Sequence, residues 1–287
     1  MIIAVGAGLA SAFFYALCSV LQHRAAGQVP VRGTFSPALM LDLVRHPVWL
    51  LGTVSDGAGL AMQALALAFG PVALVQPLLV TGLLFAVVLT ATLAHRRPHG
   101  SEAAGAVLCV AGVAAFLFAA QPANGVSVLS WRHALAPGVA GLLAAAVCVL
   151  AARILRPPLT GVLLATATGI LFGLSAALVK VCVAELPDVL ALLTTWPLYA
   201  LIAIGGAGYV LSQNTFQTGS LAAPLATLTV VDPVVSIAVG AAVLHESLTL
   251  DGIEPYVAGV ALVVMTAGVV VLARHAAAVG ATPTPGP

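Results

Sequence analysis

Apolar residues run along this chain in long unbroken blocks, not in the two-residue alternation of a barrel strand or the one-sided stripe of a surface helix. Nine blocks stand out, at about 2–22, 48–69, 71–94, 102–120, 134–152, 159–183, 197–218, 222–244 and 251–273. A helix rising ~1.5 Å per residue needs roughly 20 residues to cross a ~30 Å hydrocarbon core, and each block is near that length. The pattern predicts an all-α integral membrane protein of about nine transmembrane helices, because a helix satisfies its own backbone polar groups in lipid. Gly70-Pro71 divides the second block from the third. Proline suits the first turn of a new helix and glycine permits the reversal, so a tight hairpin is expected there. Two segments, about 36–46 and 186–195, are too short to cross and read as interfacial or re-entrant helices.

Composition decides the solvent. Of 287 residues, 61% are hydrophobic and 7% charged, against roughly 25% charged in a soluble protein. A mean hydropathy of +1.14 cannot be hidden in one core. Ten Lys+Arg against nine Asp+Glu leave a net charge of +1, and the longest basic run is Arg96-Arg97, so a nucleic-acid partner has no electrostatic basis. No basic residue precedes the first block, which therefore reads as a retained span and not a signal peptide. Arg24, Arg32, Arg45, Arg96, Arg97, Arg153, Arg156 and Arg274 fall on one side of the membrane, and Arg132 on the other. The positive-inside rule then places the N-terminus outside and the C-terminus in the cytoplasm. Glu185, Asp188, Glu246, Asp251 and Glu254 fall in the outer loops. The tail from His275 to Pro287 is small and Pro-rich and reads as disordered. Nine arginines to one lysine, with abundant alanine, suggest a GC-rich bacterial genome and hence the cytoplasmic (inner) membrane. Cys18, Cys109, Cys148 and Cys182 have no CxxC spacing, so small apolar packing is expected of them, and neither disulfides nor a metal site.

The chain also repeats itself. Residues Ser11 to Cys18 lie over Thr168 to Ser175, which sets His23 against Lys180. Further on, Trp49 meets Trp196, Phe69 meets Phe216, Leu74 meets Leu221 and Pro77 meets Pro224; near the ends Ala111-Gly112-Val113 meets Ala267-Gly268-Val269. The matches are collinear. The first repeat with span five occupies 1–152 and the second 153–274, and five crossings separate their starts. An odd number of crossings inverts the second unit, the architecture of secondary transporters that rock about a midplane site.

Several short patterns carry a resemblance. Phe172-Gly173 with Lys180, and Leu244-His245-Glu246-Ser247-Leu248 with His245 in place of a glycine, are similar to repeat helices of the drug/metabolite transporter superfamily, of which the EamA-like proteins are the general type. The nine-span count, with Phe69 to Leu78 and Ser220 to Pro224, resembles the branch related to NIPA-type magnesium transporters. The resemblance covers most of residues 2–273 and implies two inverted repeats and a transport function. It departs at Leu60, where the NIPA pattern has a glutamate, and at Ala94-His95-Arg96-Arg97, where the superfamily has one too.

A carboxylate at bilayer depth costs about 2.5 to 3.5 kcal/mol on insertion scales, which makes Asp56 and Asp232 candidate coupling or substrate groups. The alternative for each is a buried helix–helix or helix-internal hydrogen bond. Lys180, near the outer end of span six, either snorkels to the headgroups or pairs with Asp232 or Asp56, or else captures an anionic substrate group. Its repeat-mate His23, beside Gln22, lies at the inner end of span one and is either interfacial or a titrating group. Gln63, Gln76, Gln213, Asn214 and Gln217 line a polar pathway or make interhelical hydrogen bonds. Pro77, Pro224 and Pro233 are expected helix breaks. The run Gly205-Gly206-Ala207-Gly208 reads as close helix packing, since no strand or basic residue accompanies it.

These features favour a secondary transporter of a small polar or amphipathic solute, coupled to protons or driven by the solute gradient. The alternative is a divalent-cation pathway of NIPA type. No Walker motif is present and the loops are too short for an ATPase domain. A membrane-embedded enzyme would need paired aspartates, a Ser-His pair or an HExxH helix, and only His245-Glu246-Ser247 stands in that category; a passive scaffold is the remaining class. Membrane lipid and a small-molecule or ion substrate are the expected partners, a homodimer is an open assembly, and no cofactor is expected.

Overall fold

A computed structural model describes residues 1–26, 46–93, 100–126, 131–155, 159–215, 222–248 and 252–280. These form eleven helices: α1 Ile2–Ala26, α2 Pro47–Phe69, α3 Val72–Val80, α4 Gly82–Leu93, α5 Gly100–Ala120, α6 Trp131–Ile154, α7 Leu159–Ala184, α8 Val189–Thr194, α9 Trp196–Thr215, α10 Ala222–Val243 and α11 Glu254–Gly280. Among the described residues eight segments are long and apolar enough to cross a membrane, with α3 and α4 counted together as Val72–Leu93. The expected seventh span is the shorter apolar stretch Trp196–Ser212. The protein is therefore a helical, multi-pass membrane protein. The expected segment at 36–46 lies outside the described residues but for His46, whereas 186–195 forms the short α8, too short to cross, with Asp188 accepting from the Ala191 amide at its start.

Several local expectations are corrected. None of the three prolines breaks a helix. Pro77 sits inside α3 and Pro233 inside α10, which runs through it to Val243, while Pro224 is in the first turn of α10, where a missing N–H costs nothing. The third span breaks instead at Thr81, whose hydroxyl donates to the Leu78 carbonyl at 2.6 Å. Gly70 is extended (φ −146°) and not left-handed. Glycine is required there by proximity, since a Cβ would lie 2.7 Å from that of Ala4. The tail expected to be disordered from His275 continues as helix to Gly280; Ala276 to Ala278 are the strongest helix formers, and residues 281–287 lie outside the described ones.

Packing follows small residues. α1 lies along α2, with Gly52 against Cys18 and Gln22 and Gly59 against the Tyr15 ring. α7 lies along α9 in the same way, with Gly208 against the Phe172 ring, so of the glycine run Gly208 serves close packing while Gly206 has nothing within 4 Å. The fully buried Ser11 donates to the Gly59 carbonyl of α2, and its repeat-mate Thr168 approaches Thr215 of α9 at 3.5 Å. The closest crossing joins α5 and α11. A Cβ on Gly112 would lie 2.5 Å from the Met265 amide nitrogen, and one on Gly268 would lie 2.5 Å from that of Cys109. α6 touches mainly α7 and leaves most of its length outward-facing.

Candidate functional site

Two polar clusters lie on the bundle axis, one near its middle and one at the end where Met1 sits. The middle cluster starts from α1 and α2. Two glycine contacts let these helices approach, so that the Tyr15 hydroxyl reaches Gln63 and donates to its Oε1 at 2.7 Å. Two turns of α2 away, Asp56 is half-buried with the Cys18 thiol against its carboxylate. Asp232 arrives from α10, where its Oδ1 accepts from Ser236 Oγ at 3.2 Å. Asp232 is closely surrounded by protein and keeps some accessible surface. Tyr15 is within electrostatic reach of both carboxylates. Tyr209 of α9 comes close to Asp56, Cys18 and Gln22.

The fold thus gathers Asp56, Asp232, Gln22 and Gln63 from the expected set and adds Tyr15, Cys18 and Tyr209, which the apolar pattern did not single out. No described cation faces either aspartate in this cluster. Among the described residues, no three His, Cys, Asp or Glu side chains converge as a metal cage would require. The side chains of His23, Gln213 and Asn214, and all of Gln217, lie outside the described set.

The end cluster overturns the expectation for Lys180. It neither snorkels nor meets an aspartate: it is 6% exposed, and its Nζ pairs with Glu246 Oε1 at 2.7 Å. The remaining ammonium protons go to the Gly70 carbonyl at 3.2 Å and Asn124 Oδ1 at 3.1 Å, so all three donors are used. Glu246, placed by its sequence position in an outer loop, is 4% exposed. Its two oxygens accept from the Val72 and Ala73 amides at 2.7 and 3.0 Å, capping the N-terminus of α3 where a helix attracts negative charge.

Backbone geometry holds Glu246 in place. α10 ends in a tight turn: the Leu244 and Glu246 amides both donate to the Gly240 carbonyl, and His245 between them has φ +52°. That left-handed position is where the resemblance has glycine. The 121–126 segment is laid over the turn by Ala123 N to Ser247 O (3.0 Å) and Val126 N to Leu244 O (2.7 Å). Gly125 fits there only without a side chain, for a Cβ would come 1.9 Å from the Leu244 carbonyl oxygen. A cavity of about 320 Å³ flanks the pair, walled by Leu67, Ala68, Gly125 and Val183. Lys180 and Glu246 are 66 residues apart, so no local signal in the sequence could have joined them.

A larger, open apolar groove of about 650 Å³ runs between α6, α7 and α9, with Arg153 on its wall. It shares no lining residue with either polar cluster. Gln76, the last of the expected amides, is buried in α3 with its Nε2 unpartnered.

Comparison with known proteins adds one relative and no function. The chain is 29% identical over 278 residues to an uncharacterized protein of Corynebacterium glutamicum, covering 95% of each chain. No protein-family model and no solved structure matches it.

Proposed function

We propose that the protein is a secondary transporter that moves a small polar or amphipathic solute by alternating access, coupled to protons or driven by the solute gradient. The observation that carries this reading is that Asp56 and Asp232, one from each half of the chain, both lie within electrostatic reach of Tyr15. Two carboxylates at this depth are costly unless they work, by taking up a proton, an ion or a solute group. The α5–α11 crossing supports the rocking of two related halves: Gly112 rests on Met265 while Gly268 rests on Cys109. Each contact is the repeat-mate of the other, the reciprocity of a two-fold interface. In this reading 1–152 and 153–274 are inverted repeats of the drug/metabolite transporter kind. The membrane is the bacterial cytoplasmic membrane, with the N-terminus outside.

The test is transport by the purified full chain in proteoliposomes. Radiolabelled amino acids, amines and sugars are offered under an imposed proton gradient, in parallel with magnesium read by an internal dye. Saturable uptake or exchange of an organic solute, lost in Asp232→Asn and reduced at least about tenfold in Asp56→Asn, is the expected result. Magnesium flux lost in the same variants would replace the solute reading with a cation pathway. Folded protein that moves nothing, or that is indifferent to both substitutions, would overturn transport through this site.

A further inference from the structure

Buried polar side chains of α10 and α3 lie between the two clusters. Asp232, Ser236 and Gly240 succeed one another at four-residue spacing and so share one stripe of α10. Ser236, with no exposed surface, donates to Asp232 at the inner end of that stripe. At the outer end a Cβ on Gly240 would lie 2.7 Å from Glu246 Oε2 and 3.5 Å from the Val72 Cβ. Helix α3 runs from the Met1 end inward and α10 runs outward, so the two are antiparallel. With Val72 level with Gly240, one turn further sets Gln76 level with Ser236, and two turns set Val80 level with Asp232. Gln76 is the sole polar side chain of α3. It is 2% exposed, and its amide nitrogen has no partner.

We propose that Gln76 is a positioning residue that couples Asp232 at the centre to the Lys180–Glu246 pair at the Met1 end. The inference rests on the transport reading of Asp232 and adds how its state reaches that end. An amide suits the position because it carries both a donor and an acceptor. Its Nε2 can serve a charged carboxylate, and its Oε1 can accept from a neutral one. Within electrostatic reach of Asp232 from α1 is the neutral Tyr15 phenol, which Asp56 of α2 also reaches; the polar group that α3 brings to within one turn is Gln76. Whatever changes the charge at residue 232 therefore changes what Gln76 must satisfy. Helix α3 transmits the change as a short rigid rod, with its first two amides held by Glu246 and its far end freed at Thr81.

Cys182, 7% exposed and two residues beyond Lys180, is a built-in reporter of opening at that end. Its alkylation by a small maleimide is timed by peptide mass spectrometry on the full chain in nanodiscs, with the other cysteines retained. Glu246→Gln, which breaks the pair directly, sets the rate of the open end. Asp232→Asn is expected to change the Cys182 rate by about fivefold or more, a usual size for coupling between sites. In a Gln76→Leu background the same substitution should act within about twofold of no effect, the range of independent sites. Gln76→Asn, which keeps the amide, should restore part of the response. Gln76→Met replaces Gln76→Leu if the leucine variant elutes as aggregate. An Asp232→Asn effect that is absent, or that is equally large without the amide, overturns the proposal. No solute is used, so this failure is distinct from failure of the transport reading.

Discussion

Lys180 and Glu246 form a salt bridge with almost no water around it. Removing one partner of such a pair typically costs about 3–5 kcal/mol, because the other is left charged and uncompensated. Lys180→Met and Glu246→Gln should each lower the thermal midpoint in detergent markedly, and the double variant by less than either single change. An additive loss would show that the two side chains act apart. The left-handed His245 offers a second test. A β-branched residue there meets about 1–3 kcal/mol of backbone strain, so His245→Val should lower the midpoint by several degrees. His245→Gly should leave it nearly unchanged, since relief of strain offsets the lost edge contact with His133. The sequence showed Lys180 as conspicuous and both aspartates as costly. It could not show that the lysine is neutralised by Glu246, because hydropathy assigns a glutamate beyond a span to water, and only the turn at His245 with the 121–126 segment folds it back under cover.

Helices were legible as blocks because their apolar runs match the thickness of the lipid core. Where they break was not. Proline was expected to mark the breaks, yet Pro77 and Pro233 are carried inside helices whose neighbours cover them, and the third span yields at Thr81 instead. Glycine carries the information on which helices touch, and at the α5–α11 crossing it allows backbone against backbone. Gly112→Val or Gly268→Val should force those helices apart and lose several kcal/mol, the scale of overpacking without room to relax. Gly138→Val, on the open side of α6 with nothing within 4 Å, should be tolerated. Resistance of the folded chain to proteolysis in detergent separates the two outcomes, and equal sensitivity would remove the crossing from the fold's essential contacts.

For the molecule as a whole, the distribution of arginines gives a prediction that the helix packing alone does not. A cysteine introduced at Met1 should react with an impermeant maleimide added outside intact cells, and one at Arg274 should react only after the membrane is opened. The reverse pattern would invert every assignment of outer and inner made from charge. The reversed orientation proposed for the two halves rests on the odd number of spans that sequence counting puts between their starts. That Asp56 and Asp232 both reach Tyr15 needed the folded bundle, since they come from α2 and α10 and share no local pattern.

The end cluster also has an order in time. Translation delivers Gly70 and Asn124 before Lys180, and Glu246 comes 66 residues after it. At about 5–20 residues per second the ammonium group waits roughly 3–13 s for its carboxylate. Two neutral oxygen acceptors, a backbone carbonyl and an amide, are already made to hold it during that interval. The counter-ion is the last piece to arrive, and the pair can close only once α10 has emerged and folded, so its closure joins α10 to the first half while α11 is still to follow.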